Sequence, residues 1–188
     1  MKSAFEEIKK AMTLLGKKND TIFIGQTVEY PGSPMYNSLD GVPKSKKLEM
    51  PVFEDTQMGI SIGLSLNEFV PITIFPRIDF LICAINQLIN HLDKIKEMSH
   101  DEWQPGVIIR TQIGNTAPLY PGLQHCGDYT EGLKSMCKNI NIIVVDDEKN
   151  IMTFYKAAYI AATNGISTIL IETPQGGSEK NFHKVETK

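Results

Sequence analysis

Apolar residues along the 188-residue chain follow two rhythms. Short runs rich in β-branched residues recur: TIFIG (21–25), PITIF (71–75), GVIIRT (106–111), INIIVV (140–145) and STILIE (167–172). Runs of this length and composition predict strands buried in a parallel sheet. Between them the apolar spacing changes to three and four. Phe5, Ile8, Met12 and Leu15 predict a first helix, opened by the capping box Ser3-Ala4-Phe5-Glu6 and closed by Gly16 and a KKND turn. Ile78, Leu81, Ile82, Ile85, Leu88, Ile89 and Leu92 predict a second with one long apolar stripe. A third is expected after Asp146-Asp147-Glu148, whose charges suit a helix N-terminus, and runs to about Thr163. This alternation predicts an α/β fold, a three-layer parallel β-sheet with helices on both faces. One domain over 1–175 and a polar tail over 176–188 are expected, because a chain of this size buries one full core. Segments 26–51 and 112–130 carry Gly and Pro without a period, and long loops of this kind are functional or disordered.

The stretch EDTQMGISIGLSLNEFVPITIFPRIDFLICAINQLIN (54–90) departs from the simple pattern. Glu54 precedes a helix of small residues carrying Gly59 and Gly63. Glycine lowers helix stability, so two of them one turn apart predict that another backbone comes very close. After the PITIF strand, a loop with Asp79 and Phe80 leads into the second helix.

Charge and cysteine content remove several classes of function. A net charge of -3 with no basic face argues against nucleic-acid binding. The one dense cationic run, Lys44 to Lys47, reads as a solvated loop. Cys83, Cys126 and Cys137 form no CxxC pair, which suits a reducing compartment, and no apolar run is long enough to span a bilayer. A soluble, cytoplasmic protein with no membrane partner is expected. No His/Cys/Asp cluster suggests a metal site within this chain. Taken alone, Glu54 reads as an acid at a helix N-terminus, Phe80 as a core aromatic, and His125 as a loop histidine that titrates near neutrality.

The order of these residues gives them a second meaning. The chain resembles the pyrimidine-binding domain of thiamine diphosphate enzymes, above all the beta subunits of the decarboxylase component of 2-oxo acid dehydrogenase complexes, and next the transketolases. Glu54 stands five residues before Gly59-x-x-x-Gly63, as the catalytic Glu of those subunits does. Phe80 precedes Gln87 by the family's interval within N-Q-L-I-N, with Asn86 in place of the usual Asp. Gln124-His125-Cys126-Gly127 matches a third block, Q-H-S-Q, in part. The likeness runs from about Ser3 to Gln175, the first half of a typical beta subunit, and includes no G-D-G…N segment of the kind that holds magnesium. Arg77 departs from the beta-subunit pattern and is read as pairing with a carboxylate at the surface, with an anionic substrate as the other reading.

What the resemblance implies is a catalytic pair, Glu54 and His125, and cofactor contacts from Glu54, Phe80 and Gly59. Glu54 would bond the pyrimidine N1′, Phe80 would stack on the pyrimidine face, and His125 would move protons or orient substrate. Thiamine diphosphate is the implied cofactor, with Mg2+ held by a diphosphate-binding, alpha-like partner subunit in an α2β2 heterotetramer. The implied reaction is decarboxylation of a 2-oxo acid with acyl or aldehyde transfer. Ketol transfer between sugars, as in transketolases, is the alternative. A non-catalytic interaction domain of the same fold is a further one, against which the presence of both Glu54 and His125 argues.

Overall fold

The computed structural model describes residues 4–116 and 120–173. The expected Ser3 cap and the polar tail lie outside those residues. Six strands form one all-parallel sheet: β1 (Thr21–Gly25), β2 (Lys47–Glu49), β3 (Val70–Ile74), β4 (Ile108–Gln112), β5 (Asn141–Val145) and β6 (Thr168–Glu172). Their spatial order is β2-β1-β3-β4-β6-β5. Parallel neighbours need crossovers, and the helices that supply them cover both faces of the sheet.

Alternation along each strand divides the core in two. Phe23, Ile72, Ile74, Ile108 and Leu170 point to the face covered by α1 (Ala4–Gly16) and α7 (Ile151–Thr163). Ile109, Ile169 and Ile171 point to the opposite face, against α3 (Glu54–Ser65) and the helical segments that follow β3. Nearly every one of these side chains is fully buried, which is the layered architecture the hydrophobic runs predict.

The structure alters the expected elements in four places. The segment after β1 holds a short helix, α2 (Pro34–Asn37), capped by the Ser33 hydroxyl, and the edge strand β2, paired with β1. Three residues of strand are too few to show a period, so the sequence reads there as loop. The second predicted helix is not continuous. It runs as α4 (Ile78–Leu81), a 3-10 turn (82–84) and a π-helical segment (87–92), and α5 (Ile95–Met98) follows. Its apolar stripe is buried as predicted, through Ile78, Leu81, Leu88 and Leu92, because three-to-four spacing specifies a face rather than a hydrogen-bond register. A short helix, α6 (Thr130–Met136), begins where the second irregular segment was expected to end. The acids before α7 sit in a turn ahead of the helix, where Asp147 accepts from the backbone N–H of Lys149 and from the Asn150 amide.

A buried charged cluster ties the loop after β1 to the sheet. Arg110, in the middle of β4, donates to Glu172 of β6 through Nε (2.7 Å) and Nη2 (3.2 Å), and to the Ser38 hydroxyl through Nη1 (2.8 Å). The Tyr155 hydroxyl of α7 closes on the same carboxylate. Every member is buried, so the pair persists only because these bonds satisfy both charges.

Candidate functional site

Strand order places a switch point at β1. The chain leaves β1 toward β2 on one side and returns to β3 on the other, which opens a crevice beyond the carboxyl ends of β1 and β3. Gln26 lies at the end of β1, Glu54 opens α3, and the segment holding Arg77, Asp79 and Phe80 follows β3. The loop after β4 brings His125 to the same end of the sheet.

Glu54 is buried at the first position of α3. Its Oε1 accepts from Gln26 Nε2 at 3.0 Å, a partner 28 residues away. Beside it, Gln57 is fully buried and donates to the Thr73 hydroxyl (2.9 Å) and the Ile74 carbonyl (3.0 Å), which fixes the start of α3 to β3. Gly25 makes this approach possible. A Cβ there would run into the Ile74 carbonyl, and its φ of 152° is open to glycine. Asp55 faces the other way and accepts from Gln87 Nε2 at 3.2 Å.

At the same end of the sheet, Phe80 and His125 pack edge to face, with ring centroids 5.5 Å apart and planes at 86°. Two bonds from α4 and its cap hold the His125 turn in place. Arg77 Nη1 donates to the His125 carbonyl at 3.0 Å, and Asp79 Oδ1 accepts from the Gly127 N–H at 3.1 Å. Arg77 therefore engages a backbone carbonyl and no carboxylate among the described residues, which corrects the expected surface ion pair. His125 Nδ1 and Asp79 Oδ2 are buried without a hydrogen-bond partner among the described residues. Burial pushes the Cys126 thiol up, the Arg77 guanidinium opposes that shift, and the Asp79 carboxylate adds to it.

The predicted site residues thus fall at one end of the sheet in two groups, Glu54 with Gln26 and Phe80 with His125. Gly59 contacts Gln87, whose side-chain atoms lie 3.7 Å from where its Cβ would be. Gly63 has nothing within 4 Å, so the close backbone expected at this glycine pair is not supplied by the described residues. Gln124 is exposed. Sequence reasoning missed Gln26, Asp55, Gln57 and Asp79. Only Gln26 carried a usable signal, since it directly follows a predicted strand of a parallel sheet, where ligand-facing residues concentrate.

No protein-family model matches the chain. It is 27% identical over 71 residues to 2-oxoisovalerate dehydrogenase subunit beta of Bacillus subtilis (strain 168), covering 38% of this chain and 22% of that protein. It is 27% identical over 148 residues to the mitochondrial pyruvate dehydrogenase E1 component subunit beta of Ascaris suum, covering 76% of this chain and 40% of that one. The matched regions therefore span less than half of either curated relative. In fold, the chain is similar to a split gene transketolase solved as an inactive beta4 tetramer, with a TM-score of 0.70 and 16% identity over 96% of this chain and 54% of that one. These matches agree with the pyrimidine-binding-domain resemblance drawn from the Glu54, Phe80 and His125 blocks.

Proposed function

We propose that the chain is the pyrimidine-binding subunit of a split thiamine diphosphate enzyme acting on a 2-oxo acid, completed by a partner that holds the diphosphate and Mg2+. One observation carries this reading. A buried carboxylate, Glu54, stands at the switch point with a side-chain amide on one oxygen, and an aromatic–imidazole pair lies on the same end of the sheet. The donor set suits the pyrimidine half of the cofactor: an acid for N1′, the Phe80 ring for the heterocycle, and the buried Nδ1 of His125 beside it. Among the described residues no group of three or more His, Cys, Asp or Glu side chains is arranged to hold a metal ion.

Bound thiamine diphosphate supplies an acidic thiazolium carbon able to attack a carbonyl once its proton is lost. The part of Glu54 is to share a proton at the pyrimidine N1′, in a site where burial strengthens the bond. Gln26 keeps that carboxylate aimed and leaves its other oxygen for the cofactor. Phe80 excludes water and offers a ring surface, and His125 orients the substrate carbonyl or moves its proton. Ketol transfer uses the same residues, and the split transketolase fold keeps that second reading alive. Release of carbon dioxide separates the two.

Glu54→Gln tests the reading. The variant keeps the size of the side chain and removes the acid, so fold and assembly should persist. In the complex reconstituted with the partner, proton–deuterium exchange at the thiazolium carbon should slow by several orders of magnitude. Wild-type exchange in the variant overturns the reading and leaves Glu54 as a helix-terminus acid contributing about 0.5–1 kcal/mol.

A further inference from the structure

We infer that Glu49, at the end of β2, is a positioning residue that holds Gln26 on Glu54. The inference rests on the reading of Glu54 given above. The turn after β1 is strained, because Thr27 adopts a left-handed conformation (φ 61°) that β-branched residues rarely take. Its hydroxyl gains nothing from this, being buried without a partner among the described residues. What the turn gains is three backbone N–H groups aimed at one carboxylate. Glu49 Oε1 accepts from Thr27 at 2.8 Å, and Oε2 accepts from Val28 at 2.8 Å and Glu29 at 2.7 Å. Successive N–H groups around a left-handed residue form an anion-binding concavity, and bonds to an ionised acceptor are about twice as strong as neutral ones. An internal carboxylate fills it here.

The consequence reaches the site through one residue. Gln26 directly precedes the turn, and its side chain carries the bond to Glu54. Val28, on the other side, is anchored in the core. Glu49 is itself fixed by its register opposite Gly25 and by the Met50 N–H on the Gly25 carbonyl at 2.9 Å. The short edge strand, which the sequence does not announce, therefore presents the counter-charge that keeps the turn strained and Gln26 aimed. Without that charge the turn relaxes toward ordinary backbone angles and Gln26 swings off Glu54.

The test uses the full chain, alone and reconstituted with its diphosphate-binding partner. In the chain alone, Glu49→Gln should lose amide-exchange protection at Val28 and Glu29 while the sheet amides keep theirs. In the complex, Glu49→Gln and Gln26→Leu should each slow thiazolium proton exchange by roughly 10²-fold, the scale of a small misplacement of a catalytic group. The double variant should be no slower than Gln26→Leu alone. Thr27→Gly added to Glu49→Gln relieves the strain and should restore at least part of the exchange. If Glu54→Gln slows exchange and Glu49→Gln does not, or if the two single effects add, this inference is overturned and the reading of Glu54 stands. Should Glu54→Gln exchange normally, the reading itself is wrong.

Discussion

Individual side chains divide here into those that react and those that hold. His125 sits on a turn fastened through its own carbonyl and the Gly127 N–H by Arg77 and Asp79, bonds that do not depend on its imidazole. His125→Ala should therefore leave cofactor binding intact and lower turnover of the reconstituted complex by about 10²–10⁴-fold, the scale of a general acid–base group. Unchanged steady-state kinetics would remove it from the chemistry. Tyr155 is a holding residue of the opposite kind. Burial, followed by the Glu172 carboxylate, raises its hydroxyl well above the ordinary value of 10.0, with Arg110 opposing. A tyrosine raised in the folded state stays protonated where the unfolded chain ionises. Its stabilising contribution is then complete below pH 10 and lost above it, at up to about 1.4 kcal/mol per pH unit. Denaturant melts between pH 9 and 11 should show a steeper alkaline loss for wild type than for Tyr155→Phe, and equal slopes would refute the coupling.

Among the elements, α3 carries Glu54 and shows the largest discrepancy with the sequence. Its glycines signal a close neighbour, yet Gly63 looks onto open space and Gly59 meets only the end of Gln87. Among the described residues, then, Gly63 costs helix stability without return. Gly63→Ala should stabilise the isolated chain by about 0.5–1 kcal/mol, read as a rise in Tm. A partner chain packed against this face would meet the added methyl, and assembly should then weaken. A variant that is stabilised and assembles normally would show that the glycine pair serves no interface. The segment from 78 to 98 makes a related point. Switching from α to 3-10 to π hydrogen bonding, it starts its π-helical stretch at Gln87, which reaches Asp55 in the first turn of α3. Register changes of this kind accumulate at functional sites, where side-chain direction matters more than regularity.

At the scale of the whole molecule, the described residues build a complete three-layer sheet and, in the function proposed above, half of a cofactor site. Val52, Phe53 and Leu123, large apolar residues on loops that flank the crevice, are among the most exposed in the chain, with Phe53 63% and Leu123 81% accessible. Exposed apolar groups around an incomplete site suit a surface that a partner covers. We predict that the chain alone shows no thiamine diphosphate turnover and that mixing with the partner yields a stoichiometric complex, two copies of each, measurable by sedimentation together with activity. Magnesium-dependent turnover by the isolated chain would sink the split-site proposal. No helix among the described residues is long and apolar enough to cross a membrane.

The sequence by itself determined the layered α/β architecture. Uninterrupted β-branched runs can be satisfied only by burial on both faces, and helical spacing between them supplies the covering layers. It also marked Glu54, Phe80 and His125, because each lies in a block whose residue types and intervals survive in one dimension. Tertiary structure decided the rest. Edge strand β2 is three residues long and exists through pairing with β1. The strained Thr27 turn depends on a carboxylate 22 residues away. Bonds from Gln26 to Glu54, Gln87 to Asp55 and Arg77 to the His125 carbonyl each span 28 to 48 residues. A polar side chain shows its residue type in the sequence but not its partner, since a hydrogen bond is directional and short-ranged and is made only where the fold brings donor and acceptor together.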